Sequence, residues 1–219
     1  MLSWDQYREL AEQATSQGKF ADAEAMWTAA LQHVENGYQN SPLMANLLIT
    51  SLRGLAEVSC MLRKFEQAEH LYARCLAVSE TAYGRRHVEV IKTLSAIASN
   101  YYNQGKYAEA EPTLWRLLDL CERRISPDND QVGIVLGSLA TLYHAQGDYK
   151  KAEPFYEKAL AMRTKALGPA HPEVVAMLSK YANLLGMTHR EAEAEHLRAC
   201  VKKYSTGEWR VPETSGNGG

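Results

Sequence analysis

Residues 142–154 read Leu-Tyr-His-Ala-Gln-Gly-Asp-Tyr-Lys-Lys-Ala-Glu-Pro, and 42 positions earlier residues 100–112 read Asn-Tyr-Tyr-Asn-Gln-Gly-Lys-Tyr-Ala-Glu-Ala-Glu-Pro. The two stretches share Tyr101/Tyr143, Gln104/Gln146, Gly105/Gly147, Tyr107/Tyr149, Ala110/Ala152, Glu111/Glu153 and Pro112/Pro154. Stepping by the same interval in both directions extends the register. Leu52, Leu94, Leu136 and Leu178 form one column, and Ala56, Ala98, Ala140 and Ala182 a second. Ala68, Ala110, Ala152 and Ala194 form a third, followed at once by Glu69, Glu111, Glu153 and Glu195. An earlier copy, Gly18-Lys19-Phe20-Ala21-Asp22-Ala23-Glu24, is offset by 45 residues from Lys64-Phe65, which implies a three-residue insertion near Asn36 to Pro42. Self-similarity at a fixed period of this length is the mark of a repeat architecture.

Each copy reads as two helices. Leu94, Ile97, Ala98 and Tyr101 fall at i, i+3, i+4 and i+7, one apolar stripe of an amphipathic helix, and Leu136, Leu139, Ala140 and Tyr143 repeat it. The Gln-Gly step then ends the helix, glycine supplying the left-handed backbone. Asp148 is placed to cap the next helix, whose stripe is Tyr149, Ala152, Phe155, Tyr156, Ala159 and Leu160. Pro112 and Pro154 fall in the second turn of that helix, where each removes one backbone donor. Between copies stand Ser41-Pro42, Tyr83-Gly84, Ser126-Pro127-Asp128 and Leu167-Gly168-Pro169-Ala170-His171-Pro172. Alanine columns allow paired helices to approach within about 8–10 Å. One helical hairpin cannot bury both faces of its stripe, so neighbours stack on a shared core. The reading is an all-α array of five units, at about 3–40, 41–84, 85–126, 127–168 and 169–204, with a largely disordered tail over 205–219.

Composition narrows the function. In 219 residues, 24 Lys and Arg stand against 26 Asp and Glu, a formal charge of −2. Such balance lacks the basic face that neutralises phosphates, so nucleic acid is not an expected partner. No apolar run reaches the eighteen or so residues that span a bilayer, so no membrane insertion is expected. The start shows neither a basic region nor an apolar one of the secretory kind, and a cytoplasmic protein is the expectation. Cys60, Cys75, Cys121 and Cys200 form no CxxC and read as reduced, helix-packed thiols. Glu66 with His70, and His196 with Cys200, each share a helix face, but a zinc site needs three or four converging ligands. No phosphate loop, dinucleotide fingerprint, nucleophile elbow or HExxH motif occurs. Neither a cofactor nor catalysis is expected.

The Leu…Leu-Ala…Tyr…Gln-Gly-x-Tyr…Ala-Glu…Tyr…Ala-Leu pattern resembles the tetratricopeptide repeat. The 42-residue period, the Ala-Glu-Pro triplet and the run from Leu167 to Pro172 look like the long-repeat variety found in kinesin light chain. The resemblance runs from about Ser3 to Tyr204 and is strongest in the third and fourth copies. In the last copy His189 and Glu191 replace the turn Gly and Tyr, and Arg198 replaces the large apolar residue matching Tyr156, as suits a terminal capping unit. The resemblance implies a right-handed α-solenoid whose concave face, lined by first helices, holds a peptide or helix of a partner protein.

By that resemblance the groove positions are Thr50, Arg53, Gly54, Glu57 and Met61 in the second unit, and Lys92, Ser95, Ala96, Ser99, Tyr102 and Asn103 in the third. The fourth contributes Ile134, Gly137, Ser138, Thr141 and His144, and the fifth Ser179, Lys180, Asn183 and Met187. The family's usual paired Asn is replaced by Arg53-Gly54, Ser95-Ala96, Gly137-Ser138 and Ser179-Lys180, a departure in the residues that set peptide specificity. Basic points at Arg53, Lys92 and Lys180, among small residues and hydroxyls, suit an acidic segment. The plainer expectations stand beside these: Lys92 and Lys180 as solvated surface, Arg53 as the i,i+4 partner of Glu57, Tyr102 as inter-repeat packing, and His171 bonded to its turn. Trp209 reads either as a cover for the open end of the last helix or, beside Glu208, as an occupant of a groove. The leading expectation is a non-catalytic adaptor or scaffold, monomeric or weakly self-associating. The alternatives are a peptide-gated regulatory sensor and a scaffold that self-assembles through its convex face or repeat ends.

Overall fold

The structure, a computed structural model, describes residues 2–37, 42–124 and 130–206. The tail reading, Trp209 included, and the Ser126-Pro127-Asp128 breaker lie outside the described residues. The elements are α1 (Trp4–Ser16), α2 (Phe20–Asn36), α3 (Pro42–Met61), α4 (Phe65–Tyr83), α5 (Val88–Asn103), α6 (Tyr107–Arg124), α7 (Asp130–Ala145), α8 (Tyr149–Leu167), α9 (Pro172–Met187) and α10 (Glu191–Ser205). Among the described residues there is no strand. The chain divides into two compact units, Met1–Leu120 and Cys121–Gly219. Within the first, α1 packs on α2, α2 on α3, α3 on α4 and α4 on α5; within the second, α7 packs on α8, α8 on α9 and α9 on α10.

The alanine columns are where the helices close. Ala56, Ala98, Ala140, Ala182, Ala68, Ala110, Ala152 and Ala194 are all no more than 3% exposed. Around them the first unit buries Trp27, Val34, Ile49, Leu52 and Val58, and the second Leu139, Leu142, Tyr156, Leu184 and Leu185. Helices α6 and α8 run through Pro112 and Pro154.

The turns obey the repeat more strictly than the letters do. Gly18, Gly105 and Gly147 take φ of 72, 72 and 77°, and the residues in the same register, Arg63 and His189, take φ of 58 and 61°. The last hairpin therefore keeps the turn without its glycine, and its Arg198 pairs with Glu191 and Glu195 of its own helix. Asp148 caps α8 by accepting from the Lys151 N–H at 3.3 Å. His87 and His171 cap α5 and α9, each ring Nδ1 accepting from the N–H of the glutamate two residues on at 3.3 Å. At the chain's start Ser3 and Gln6 form a reciprocal capping box, and the Trp4 indole donates to Ser51 of α3 at 2.8 Å.

The Glu column has a partner column. Glu24 pairs with Lys64 at 2.7 Å, Glu69 with Lys106 and Glu153 with Arg190, so α2, α4 and α8 are each tied to the turn of the next copy. Gln104 adds a hydrogen bond to Glu69 at 2.8 Å. Burial opposes the charge of Glu69, but the bonds from Lys106 and Gln104 outweigh it and hold the carboxyl below its ordinary range. In the second unit Arg163, 3% exposed, binds Asp130 of α7 and Glu173 of α9. Gly133 leaves room for it: a Cβ there would lie 3.2 Å from the Arg163 Cδ.

Candidate interaction surface

In the first unit the face of α3 and α5 brings two cations to one acid. Arg53 donates to Glu89 at 2.6 Å, and Lys92 binds the other oxygen of Glu89 at 2.8 Å. The expected i,i+4 partner of Arg53, Glu57, feels it only through its charge; the hydrogen bond goes instead to the first turn of α5, the first helix of the next copy. Lys92 is the exposed residue expected, yet it too is paired. Ser95, Ser99 and Asn103 are exposed along α5. Tyr102 is half-buried, its ring 5.5 Å from that of Tyr107. Burial, and secondarily the neighbouring Tyr107, raises its hydroxyl above the ordinary phenol range.

Gly54 receives a neighbouring ring. It is buried, and a Cβ there would lie 2.4 Å from Cε2 of Trp27, whose ring lies against the bare backbone. Gly137 is likewise buried, with the Met177 methyl 2.6 Å from where its Cβ would be. These glycines are receptors for neighbouring side chains. Beside the Trp27 ring a cavity of about 300 Å³ is lined by Glu12, Thr15, Ser16, Gly54, Glu57, Val58 and Met61. Glu57 is exposed on α3, yet the protein packed around it pushes its carboxyl up by desolvation, and the positive charge of Arg53 pulls it part of the way back. Glu12 is bonded to Arg8 at 3.0 Å, whereas Glu57 has no hydrogen-bond or ion-pair partner among the described residues.

In the second unit several of the sequence-selected residues converge. Asn183 and Lys180 of α9 both lie close enough to the His144 ring of α7 to act on its basicity. His144 Nδ1 is 3.2 Å from the hydroxyl of buried Tyr156. Burial lowers the histidine's basicity first, Asn183 raises it, and Lys180 lowers it further, leaving it below the ordinary imidazole value. Tyr149 meets His144 edge-on at 5.6 Å and its hydroxyl bonds the Met187 sulfur at 3.3 Å. Thr141 and Ser179 turn their hydroxyls back to the carbonyls of Gly137 and Val175 at 2.9 and 3.0 Å. Ser179, Lys180 and Asn183 are exposed, as are Met187 and, further along α7, Ile134. Trp27 and Tyr149 were not selected from sequence: both belong to second helices and read as ordinary core positions. The signal for Trp27 was Gly54, a glycine in a helix interior.

The geometry is that of stacked helical hairpins presenting side chains from first helices. Profiles of the tetratricopeptide repeat match residues 43–123, 89–165 and 131–198. The chain is a tetratricopeptide repeat protein. Among solved structures it is similar to BtubC (BKLC) of P. vanneervenii, at 20% identity over 97% of this chain and 85% of that one, with a TM-score of 0.81. It is similar also to the nearly identical TPR-like repeats of Podosopora anserina related to kinesin light chain, at 18% identity over 94% and 97%, with a TM-score of 0.77. A Rap protein complexed with competence and sporulation factor matches at 16% identity and a TM-score of 0.71, this chain covering 54% of it. No curated protein matches significantly. These likenesses bear out the kinesin light chain-like α-solenoid class expected from the repeat. Among the described residues no His, Cys, Asp and Glu side chains gather in a metal-holding group, and no helix is long and apolar enough to cross a membrane.

Proposed function

We propose that this chain is a non-catalytic interaction module, an adaptor or scaffold of the cytoplasm, that holds a peptide or helix of a partner protein on its first-helix face. The observation that carries this is chemical. Glu24, Glu69 and Glu153 of second helices are spent on the turns of the next copy, whereas on first helices Glu57 and Lys180 have no ion-pair partner among the described residues. Ser95, Ser99 and Asn103 stand exposed on a first helix of the first unit, and Met187 on one of the second. Tetratricopeptide repeats serve generally as protein-interaction modules, and the Rap protein that shares this fold was solved with a peptide factor.

The acidic-segment reading now rests mainly on Lys180 in the second unit, since Arg53 and Lys92 already share Glu89 as an ion-pair partner. In the first unit the cavity beside Trp27 offers Glu57 to a donor or cation. Selecting binders from a displayed peptide library against the full chain, then measuring them by calorimetry, tests the proposal. Binding weakened at least tenfold by Lys180→Glu or by Ser99→Arg, with unchanged helicity, supports it. Binding untouched by both overturns the placement on this face. Peptide-induced compaction in solution scattering would favour the gated sensor, and a concentration-dependent mass the self-assembling scaffold; an adaptor that is monomeric or only weakly associating shows neither.

A further inference from the structure

The two units are built from one repeat, so a position filled in one and empty in the other is informative. In the second unit Tyr181 of α9 reaches under α8: its hydroxyl lies 3.1 Å from a Glu153 oxygen and 3.2 Å from a Glu157 oxygen, and its ring stacks on Tyr156 at 5.7 Å and 19°. The residues 84 positions earlier are Glu69, Tyr72, Ala73 and, in place of Tyr181, Ile97. The stacking platform and one carboxylate are kept while the phenol is gone. Where it would lie there is a cavity of about 360 Å³ between α4, α5 and α6, lined among others by Glu69, Tyr72, Ile97, Asn100 and Arg116. That is the size of a small ligand cleft. At about 100° per residue, Leu94, Ile97 and Tyr101 lie on the opposite side of α5 from Lys92, Ser95 and Ser99, so this cleft is separate from the first-helix face and does not depend on the reading given to it.

We propose that this cleft is a receptor for a tyrosine side chain presented by a partner protein. The occupant's chemistry is set by its internal counterpart. Tyr72 is 3% exposed and Ile97 packs against its cluster, so an entering ring lies against Ile97 and the accessible edge of Tyr72, on the side where Tyr181 meets Tyr156, and its hydroxyl donates to Glu69. Gln104 and Lys106 both bond Oε1 of Glu69, leaving Oε2 as the acceptor. The depressed carboxyl of Glu69 keeps that acceptor charged. Arg116 in the lining disfavours a cationic side chain, and because it is already paired with Glu80, the nearby Glu69 charge disfavours a phosphorylated tyrosine. A phenylalanine fits the space but leaves the carboxylate without its donor.

The test is a heteronuclear NMR titration of the full chain with N-acetyl-tyrosinamide, the phenylalanine analogue and the phosphotyrosine analogue. The tyrosine probe is expected to shift amides of Tyr72, Ile97 and Asn100. The phenylalanine probe should bind about tenfold more weakly, the loss expected for a hydrogen bond to a charged group, and the phosphotyrosine probe should give no shifts. Ile97→Tyr, which restores the residue of the filled copy, should fold with undiminished helicity and abolish the shifts. Glu69→Gln, which keeps the shape, should bring tyrosine affinity down to that of phenylalanine. No shifts in the wild-type chain, equal binding of the two unphosphorylated probes, shifts that survive Ile97→Tyr, or an Ile97→Tyr chain that does not fold would each overturn the proposal.

Discussion

Gly54→Ala is the sharpest perturbation of the packing that shapes the first-helix face. In a helix interior this change normally stabilises by about 0.5–1 kcal/mol, because alanine has less backbone freedom to lose. At Gly54 the new Cβ would stand 2.4, 2.5 and 2.7 Å from Cε2, Cζ2 and Cδ2 of Trp27, where carbons settle at about 3.5–4.0 Å. The obstacle is three atoms of a rigid ring that is 5% exposed and held in the core, so the ring must move bodily by about 1 Å. Overpacking of that kind costs up to about 3 kcal/mol; less the propensity gain, the net loss is about 2 kcal/mol, or about 4–8 °C in a chain of this size. Gly137→Ala is the control. There the close atom is the Met177 methyl at 2.6 Å, with the next contact at 3.7 Å. That side chain swings aside for about 0.5–1.5 kcal/mol, and the net is near zero. Urea and thermal denaturation, followed by circular dichroism and tryptophan fluorescence because repeat arrays need not unfold in one step, should rank Gly54→Ala well below Gly137→Ala. In a Trp27→Leu background the Gly54→Ala penalty should vanish. Equal stability of the two alanine variants, or a penalty that persists without the ring, would refute the reasoning.

Three further outcomes are expected. Glu69 is depressed in the folded state, so its contribution is present above the ordinary carboxyl value of 4.5 and is lost as pH falls through the folded value; urea midpoints from pH 7 down to 3 should fall less steeply in Lys106→Met than in the wild-type chain. His144 is depressed below the ordinary 6.5, so the unfolded chain binds the extra proton first, and stability declines as pH drops below 6.5 toward the folded value. Lys180→Met, by removing a like charge, should raise the His144 titration midpoint seen by NMR, and an unchanged or lower midpoint would contradict the placement of Lys180. Ala140→Leu, at a position with no exposure in the α7–α8 hairpin, should cost about 1–3 kcal/mol by overpacking, read as a lowered melting temperature.

The repeat made the fold legible because each hairpin contributes the same small set of constraints. Ala98, Ala140 and Ala182 recur because helices must close there, and Gly105 and Gly147 because the turn needs positive φ. That the turn survives with Arg63 and His189 was not legible, since the stacked neighbours impose the backbone whatever the letter. The ion-pair ladder was half visible: the Glu column stood out, but its partners sit one copy on, and a column is read down a position and not across a stack. Arg53 went astray for the same reason. Its i,i+4 acid, Glu57, is near in sequence, and the acid it bonds, Glu89, is near only once α3 and α5 are side by side. His144, Lys180 and Asn183 were picked singly from family positions; that they meet followed from stacking α7 against α9.

The distribution of committed and uncommitted charge also constrains any partner. Lys92, Lys106 and Arg163 all have acids on the chain itself, so a partner's carboxylates would have to displace an existing pair, with little net gain on an exposed surface. Glu57 and Lys180 demand no such exchange. Glu57 gains most from a donor or cation, because desolvation already disfavours its bare charge, while Lys180 gains from an acid that would also relieve His144 of a like-charge neighbour. A ligand of the first unit's face is therefore expected to bring a donor or cation to Glu57, and a ligand of the second unit's face an acid to Lys180. Neutralising that one group of the ligand should weaken its binding at least tenfold, and unchanged affinity would show that these two side chains do not read the ligand.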